Sequence, residues 1–215
     1  MVAKDVAKDQ DPGTVRPGGR TARVRTAVLA AAGDALAEQG FAHLDLADVA
    51  RRAEVGRTTV YRRWGTVTGL VADLLADMAE TSLPRTETGS LLGDLTANAQ
   101  LVRRTLADPR QGALFRAVIA AATCEPRTAE ALHRFYDTRV QEWAPCVEQA
   151  VARGEAPEGT DPCEVVRAVS APLYYRLLTT ADAPDEAAAR RAAAAAATAA
   201  RAGVYVRTQP RPARP

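Results

Sequence analysis

Between Leu44 and Trp64 the chain reads LDLADVARRAEVGRTTVYRRW, a stretch that accommodates two short helices joined by a tight turn. Leu46, Val49, Ala50 and Ala53 recur at i, i+3, i+4 and i+7, one face of a helix. Asp45 stands where a side chain caps the free amides of a first turn. Asp48 holds the capping-box position three residues on, with Asp in place of the usual Glu or Gln. Leu44 and Val49 flank this cap at hydrophobic-staple positions. The turn is Ala53-Glu54-Val55-Gly56, with Val55 expected to plug the angle between the helices. Gly56 then starts the second helix, a weaker cap than Ser or Asn. On that helix Val60 and Trp64, four residues apart, form the core side.

The other side of the second helix is polar and cationic. Arg57, Tyr61, Thr58 and Arg62 spread over roughly 140° of it, at 100° per residue. Such a surface suits a DNA major groove. Arg57 and Arg62 can reach guanine edges bidentately, and Thr58 can meet a base or a thymine methyl. Thr59, Tyr61 and Arg63 are placed for backbone phosphates, which set register without carrying sequence information. The competing reading, a merely solvated face, has more force for Arg51 and Arg52 than for the three arginines after the turn.

With these residues in view, the chain resembles the TetR family of bacterial transcriptional regulators. The likeness begins with RTAVLAAA from Arg25 and LAEQGF from Leu36 to Phe41. It continues through Leu46, Val49-Ala50, Ala53, Val55, Thr59-Val60-Tyr61 and Arg63-Trp64 to Leu70. Further on, APLYYRLL from Ala171 to Leu178 resembles a segment common in the C-terminal domains of actinobacterial members. Three positions depart from the family pattern. Glu54 replaces the usual turn Gly, Gly56 the usual Ser cap, and Val67 a Lys that commonly grips phosphate. Loss of one phosphate contact lowers the salt dependence of binding by about one unit of slope.

Composition narrows the class. Ala is abundant, aromatics are 5% of the chain, and no alternating run with turn punctuation marks a strand, so an all-α fold is expected. Net charge is +2, unevenly spread: residues 1–64 carry 11 basic and 8 acidic groups, residues 65–206 carry 14 and 18. A mildly basic reader followed by a mildly acidic body gives slight support for a nucleic-acid partner. Cys124, Cys146 and Cys163 are odd in number and widely spaced, which fits reduced thiols in a cytoplasmic protein. No stretch is apolar enough to span a membrane, and the polar start is unlike a signal peptide.

Four regions follow: a disordered arm over 1–20, a helix-turn-helix DNA-binding domain over 21–66, a helical effector-binding and dimerisation domain over 67–206, and a disordered tail over 207–215. In the arm, Lys4, Lys8, Arg16 and Arg20 offer minor-groove contacts, with a plain flexible tail as the alternative. Helices are expected at about 22–39, 67–80, 91–107, 109–122, 127–153, 161–180 and 185–205. Pro145 and Pro172 should bend the two in which they lie.

No catalytic constellation is visible. His43 and His133 lie in no metal-ligand motif, Ser82, Ser90 and Ser170 have no nucleophile-elbow context, and there is no phosphate-binding Gly loop. No enzyme activity, cofactor or metal is expected. The family resemblance implies instead a C-terminal domain that binds an effector and dimerises. Leu101, Phe115, Ile119, Phe135, Tyr136, Trp143, Tyr174 and Tyr175 are the candidate lining of a mostly apolar pocket. Val165, Val166, Val169, Leu173 and Leu177 give one apolar stripe, expected with the Ala-rich last helix to form a four-helix dimer interface. The expectation is a homodimeric regulator of a near-palindromic operator on double-stranded DNA, a repressor released by a small, mostly apolar effector. The alternative is an all-α small-molecule-binding or scaffold protein with a degenerate reader, favoured by Glu54 and Val67.

Overall fold

The computed structural model describes residues 19–82 and 84–207. The proposed N-terminal arm, apart from its last two residues, and the tail beyond Arg207 lie outside them. The helices are α1 (Arg20–Gln39), α2 (Leu46–Arg52), α3 (Arg57–Trp64), α4 (Val67–Glu80), α5 (Leu91–Ala107), α6 (Pro109–Ala122), α7 (Pro126–Ala152), α8 (Pro162–Thr179) and α9 (Glu186–Arg201). A single 3-10 turn, Phe41–His43, joins α1 to α2. Among the described residues the sole β pairing is an isolated bridge between Thr160 and Val206.

The local chemistry sets most helix starts. Asp45 accepts from the amides of Ala47 and Asp48, both at 3.1 Å. Thr66, Ser90, Asp108, Asp161 and Asp185 cap α4, α5, α6, α8 and α9 in the same way. The reciprocal half of the expected capping box does not form. The Asp48 carboxylate turns outward to Arg51 at 2.5 Å and Arg52 at 2.7 Å, because two guanidiniums lie within reach and Asp is one methylene short of the usual Glu.

α1, α2 and α3 enclose a small core of Val28, Leu36, Leu46, Val49, Val60 and Trp64. α1 also packs on α4 and α6, which ties the reader to the rest of the chain. Beyond it, α5 lies against α8 and α9, and α7 against α4, α6 and α8. The Ala run serves this body. Ala189, Ala193, Ala197 and Ala200 are buried, and their small side chains let α9 lie close to α5. Pro145 and Pro172 each sit inside a continuous helix.

Two expectations are corrected. Val165, Val166, Val169, Leu173 and Leu177 are 0–3% exposed in the single chain, so they cannot face a second one. A body of only six helices, α4 to α9, needs the whole apolar stripe of α8 for its own core. The outward face of α8 carries Arg167, Ala171, Tyr175 and Leu178 instead. The C-terminal end also differs. α9 stops at Arg201, and the chain turns through Gly203 so that Val206 meets Thr160. Arg207, expected to begin a free tail, donates from Nε to Asp161 at 2.9 Å and from its backbone to Gly159 at 3.0 Å. The Arg207 hydrogen bond holds the Asp161 carboxyl below the usual carboxylate range.

Glu54 is the one non-glycine residue described with a left-handed backbone, at φ 55°. The sharp turn between α2 and α3 demands that conformation, and a Cβ there is strained. Glu54→Gly is expected to stabilise the fold by about 1 kcal/mol. Thermal denaturation should show a rise in Tm of roughly 2–4 °C for a chain of this size.

Candidate nucleic-acid interface and effector cavity

α3 presents its polar residues outward. Arg57, Thr58, Arg62 and Arg63 are exposed, Tyr61 is 47% exposed, and Thr59 is half-buried. Arg51 is committed to Asp48, and Arg52 to Asp48 and to Glu38 at 2.6 Å. Their hydrogen bonds hold the Asp48 carboxyl below its usual range, that from Arg51 foremost. Arg57, Arg62 and Arg63 make no ion pair among the described residues. Arg63 lies with its guanidinium 5.1 Å from the centre of the Trp64 ring, a cation–π arrangement that leaves its donors outward. The arginines of α2 are therefore structural, and those of α3 are free to contact an anionic partner.

Trp64 fixes how α3 is held. Its indole Nε1 donates to Asp73 on α4 at 2.8 Å. Asp73 also accepts from Arg25 on α1, at 2.8 Å from Nη2 and 3.2 Å from Nε, and Arg25 reaches on to Asp77 at 2.5 Å. Partial burial works to raise the Asp73 carboxyl, but the hydrogen bonds from Arg25 and Trp64 outweigh it and hold the carboxyl below its usual range. The stability from this link is thus present above the ordinary carboxylate range and lost as pH falls through the depressed value. Gly69 completes the junction: a Cβ there would stand 2.5 Å from the Trp64 carbonyl oxygen. Val67 packs half-buried against the core, so the departure from Lys adds apolar contact where a phosphate grip is lost.

The second feature is a cavity of about 340 Å³ enclosed by α4, α5, α6, α7 and α8. Leu101, Phe115, Phe135, Tyr136, Trp143 and Tyr174 line it, as the sequence suggests. Ile119 does not: it sits one turn past Phe115 and packs half-buried against the core away from the opening. Tyr175 is 68% exposed on the outer face of α8. Phe115, Phe135, Tyr136 and Tyr174 form a closed quartet, each ring contacting the next at centroid distances of 5.2–6.0 Å. Burial pushes the Tyr174 hydroxyl up to about 12 and raises that of Tyr136 further, so both stay neutral.

The sequence reading missed the polar half of this cavity. Asn98 on α5, Gln111 on α6 and Arg139 on α7 also line it, with Met78 and Thr81 at the end of α4. Asn98 was legible in principle, since it interrupts the apolar stripe Leu91, Leu95, Val102 at a core position. Gln111 and Arg139 give no such signal.

Two links join the cavity to the reader. α4 carries both Asp73, under Trp64, and Met78, in the cavity wall, about 7.5 Å apart along the axis. The first turn of α6 carries Gln111 in the wall beside Arg110, which pairs with Asp34 on α1 and donates to the Ala30 carbonyl at 3.0 Å.

An exposed cationic helix behind a tight turn, on a helical body that holds a cavity, is the arrangement of a helix-turn-helix regulator, and comparison with known proteins agrees. Residues 28–74 match the family model described as bacterial regulatory proteins, tetR family, and residues 85–196 that of the tetracyclin repressor-like C-terminal domain. The HTH-type transcriptional regulator YdeS of Bacillus subtilis is 31% identical over 157 residues, 73% of this chain and 79% of that protein. The HTH-type transcriptional regulator AqdR of Rhodococcus erythropolis is 33% identical over 142 residues, 66% of this chain and 68% of that protein. In structure, Salmonella enterica GusR superposes with a TM-score of 0.66 at 22% identity, over 87% of this chain and 97% of the other, a likeness of fold. The chain belongs to the TetR family and is a DNA-binding transcriptional regulator. Among the described residues no helix is long and apolar enough to cross a membrane.

Asp73→Ala leaves the Trp64 indole unsatisfied and should destabilise the protein by about 1–3 kcal/mol. Although Asp73 is not on the α3 surface, operator affinity measured by fluorescence anisotropy at a temperature where the variant stays folded should fall by more than tenfold.

Proposed function

We propose that this protein is a homodimeric repressor that grips a near-palindromic operator through α3 and lets go when a small molecule fills the cavity. Arg57, Thr58 and Arg62 read bases, while Thr59, Tyr61 and Arg63 hold phosphates. The protein acts by binding and the cavity takes an effector rather than a substrate. Work on chromosomal DNA makes it cytoplasmic. The observation that carries this reading is the division of labour among the arginines: those on α2 are paired within the chain, and those on α3 stand exposed and unpaired. The shared helix α4 and the Arg110–Gln111 turn support the link from cavity to reader, a population shift toward a spacing that no longer matches successive major grooves.

One eight-residue reading helix covers too few bases for specificity, so the dimer is part of the mechanism. In place of the buried α8 stripe, its surface is taken to be the outward faces of α8 and α9. Ala171, Tyr175 and Leu178 are exposed on α8, and Arg191, Ala194, Ala195 and Thr198 are exposed on α9, which packs against it. Tyr175 and Leu178 are 68% and 49% exposed, unusual for large apolar side chains on one helix face.

A gel shift on the DNA upstream of the protein's own gene tests the reader. Wild type should give a salt-sensitive specific shift, and Arg57→Ala with Arg62→Ala should weaken it at least ~30-fold with helicity unchanged. No specific shift on any near-palindromic probe would favour a binding or scaffold protein with a degenerate reader. For the dimer, Tyr175→Asp with Leu178→Asp should turn a species of twice the chain mass into one of single mass by light scattering. The same variant should lose operator affinity while keeping its circular dichroism.

A further inference from the structure

The cavity is chemically two-sided, and its two sides name a class of ligand. One side is the closed aromatic quartet of Phe115, Phe135, Tyr136 and Tyr174. The other holds buried polar atoms without a hydrogen-bond partner: Asn98 Oδ1, Gln111 Oε1 and Trp143 Nε1. Asn98 is 5% exposed and Trp143 2%, and they come from different helices, α5 and α7, with Gln111 on α6. The indole N–H can only donate, and a primary amide can do both. Six buried side-chain polar atoms lack a partner among the described residues, and three of them belong to residues of this one wall, where a partner from outside the chain can supply the missing bonds. They are also spaced differently from the rings. On α7 Trp143 lies eight residues from Phe135, about 12 Å along the axis, and on α6 Gln111 lies one turn from Phe115.

Charge excludes the other classes. The one ionised side chain in the wall, Arg139, is paired with Glu142. Both tyrosine hydroxyls stay neutral at pH 7. An anion would have to share the Arg139 guanidinium with Glu142, and a cation would meet Arg139 with no free carboxylate in the wall. A saturated chain or bare hydrocarbon would forgo the hydrogen bonds that a ligand with a polar edge can make to these atoms.

We infer that the cavity binds a neutral, planar, aromatic molecule carrying both a hydrogen-bond donor and an acceptor at one edge. The ring system lies against the quartet, and the polar edge meets Asn98, Gln111 and Trp143. The inference rests on the cavity being the effector site, and it specifies what the effector is. Because Gln111 adjoins Arg110, a ligand that engages the amide also bears on the contact to α1.

Four bicyclic probes of matched shape separate the classes by isothermal titration of the full chain: isoquinolinone, a neutral lactam with adjacent N–H and C=O; naphthalene, apolar; naphthoate, anionic; and N-methylisoquinolinium, cationic. The lactam should bind at least ~10-fold tighter than each of the others. Asn98→Leu and Trp143→Phe should each weaken the lactam by about 5–30-fold and leave naphthalene unchanged or tighter. Equal or tighter binding of naphthalene, preference for either ion, or no measurable binding of the lactam at millimolar concentration overturns the assignment. The effector reading is judged separately, by adding the lactam to the operator complex. Binding with the stated preference but without release of DNA leaves the ligand class standing and refutes the effector role.

Discussion

A single carboxylate holds the reading helix in place. α3 is eight residues long and its N-cap, Gly56, supplies no side-chain bond. A helix that short is marginal by itself and takes its orientation from what it packs on. Val60 and Trp64 provide the apolar anchor, but an apolar contact is not directional. Direction comes from the Trp64 indole bonded to Asp73, with Arg25 closing the junction from α1. A carboxylate this shielded is tolerated because two donors on two helices satisfy it. The position of Arg57 and Arg62 relative to the body therefore depends on three side chains that lie off the exposed face of α3.

The same helix that bears Asp73 runs into the wall of the cavity. Proteins transmit small displacements where packed elements have little room to deform, and Gly69 marks such a place: no side-chain atom fits between α4 and the Trp64 carbonyl. α6 makes a second, polar connection, because Arg110 and Gln111 are neighbours that face different partners. A ligand in the cavity would touch two elements that reach the reader by different routes, one close-packed and held by the Asp73–Trp64 bond, one an ion pair at a half-exposed surface. In water an exposed ion pair contributes little stability, which makes the second route a soft one.

The fold was legible wherever a local signal existed. The cap at Asp45 and the spacing of apolar residues placed helix boundaries within a few residues. Val60 and Trp64 declared the core side of α3 by spacing alone. Six cavity residues could be named because large aromatics on amphipathic helices converge inside a bundle. Ile119 fits the same pattern and lies elsewhere, since periodicity gives a face but not the neighbour it meets. The α8 stripe failed for the same reason. An apolar face signals burial and leaves open whether the partner belongs to the same chain, and here α5, α7 and α9 use all of it.

The sequence by itself determined an all-α chain, a helix-turn-helix with its polar, cationic arc on the second helix, and the position of the tight turn that precedes it. These follow from dihedral preferences and a 3.6-residue period, which act over a few neighbours. Only the tertiary structure decided which arginines are free, how α3 is fixed to Asp73, that Asn98, Gln111 and Trp143 share one cavity, and that α8 turns Tyr175 rather than Val169 to solvent. Those outcomes depend on contacts between residues far apart in the chain, where hydrogen bonding and burial are settled jointly by several helices and no local pattern carries them.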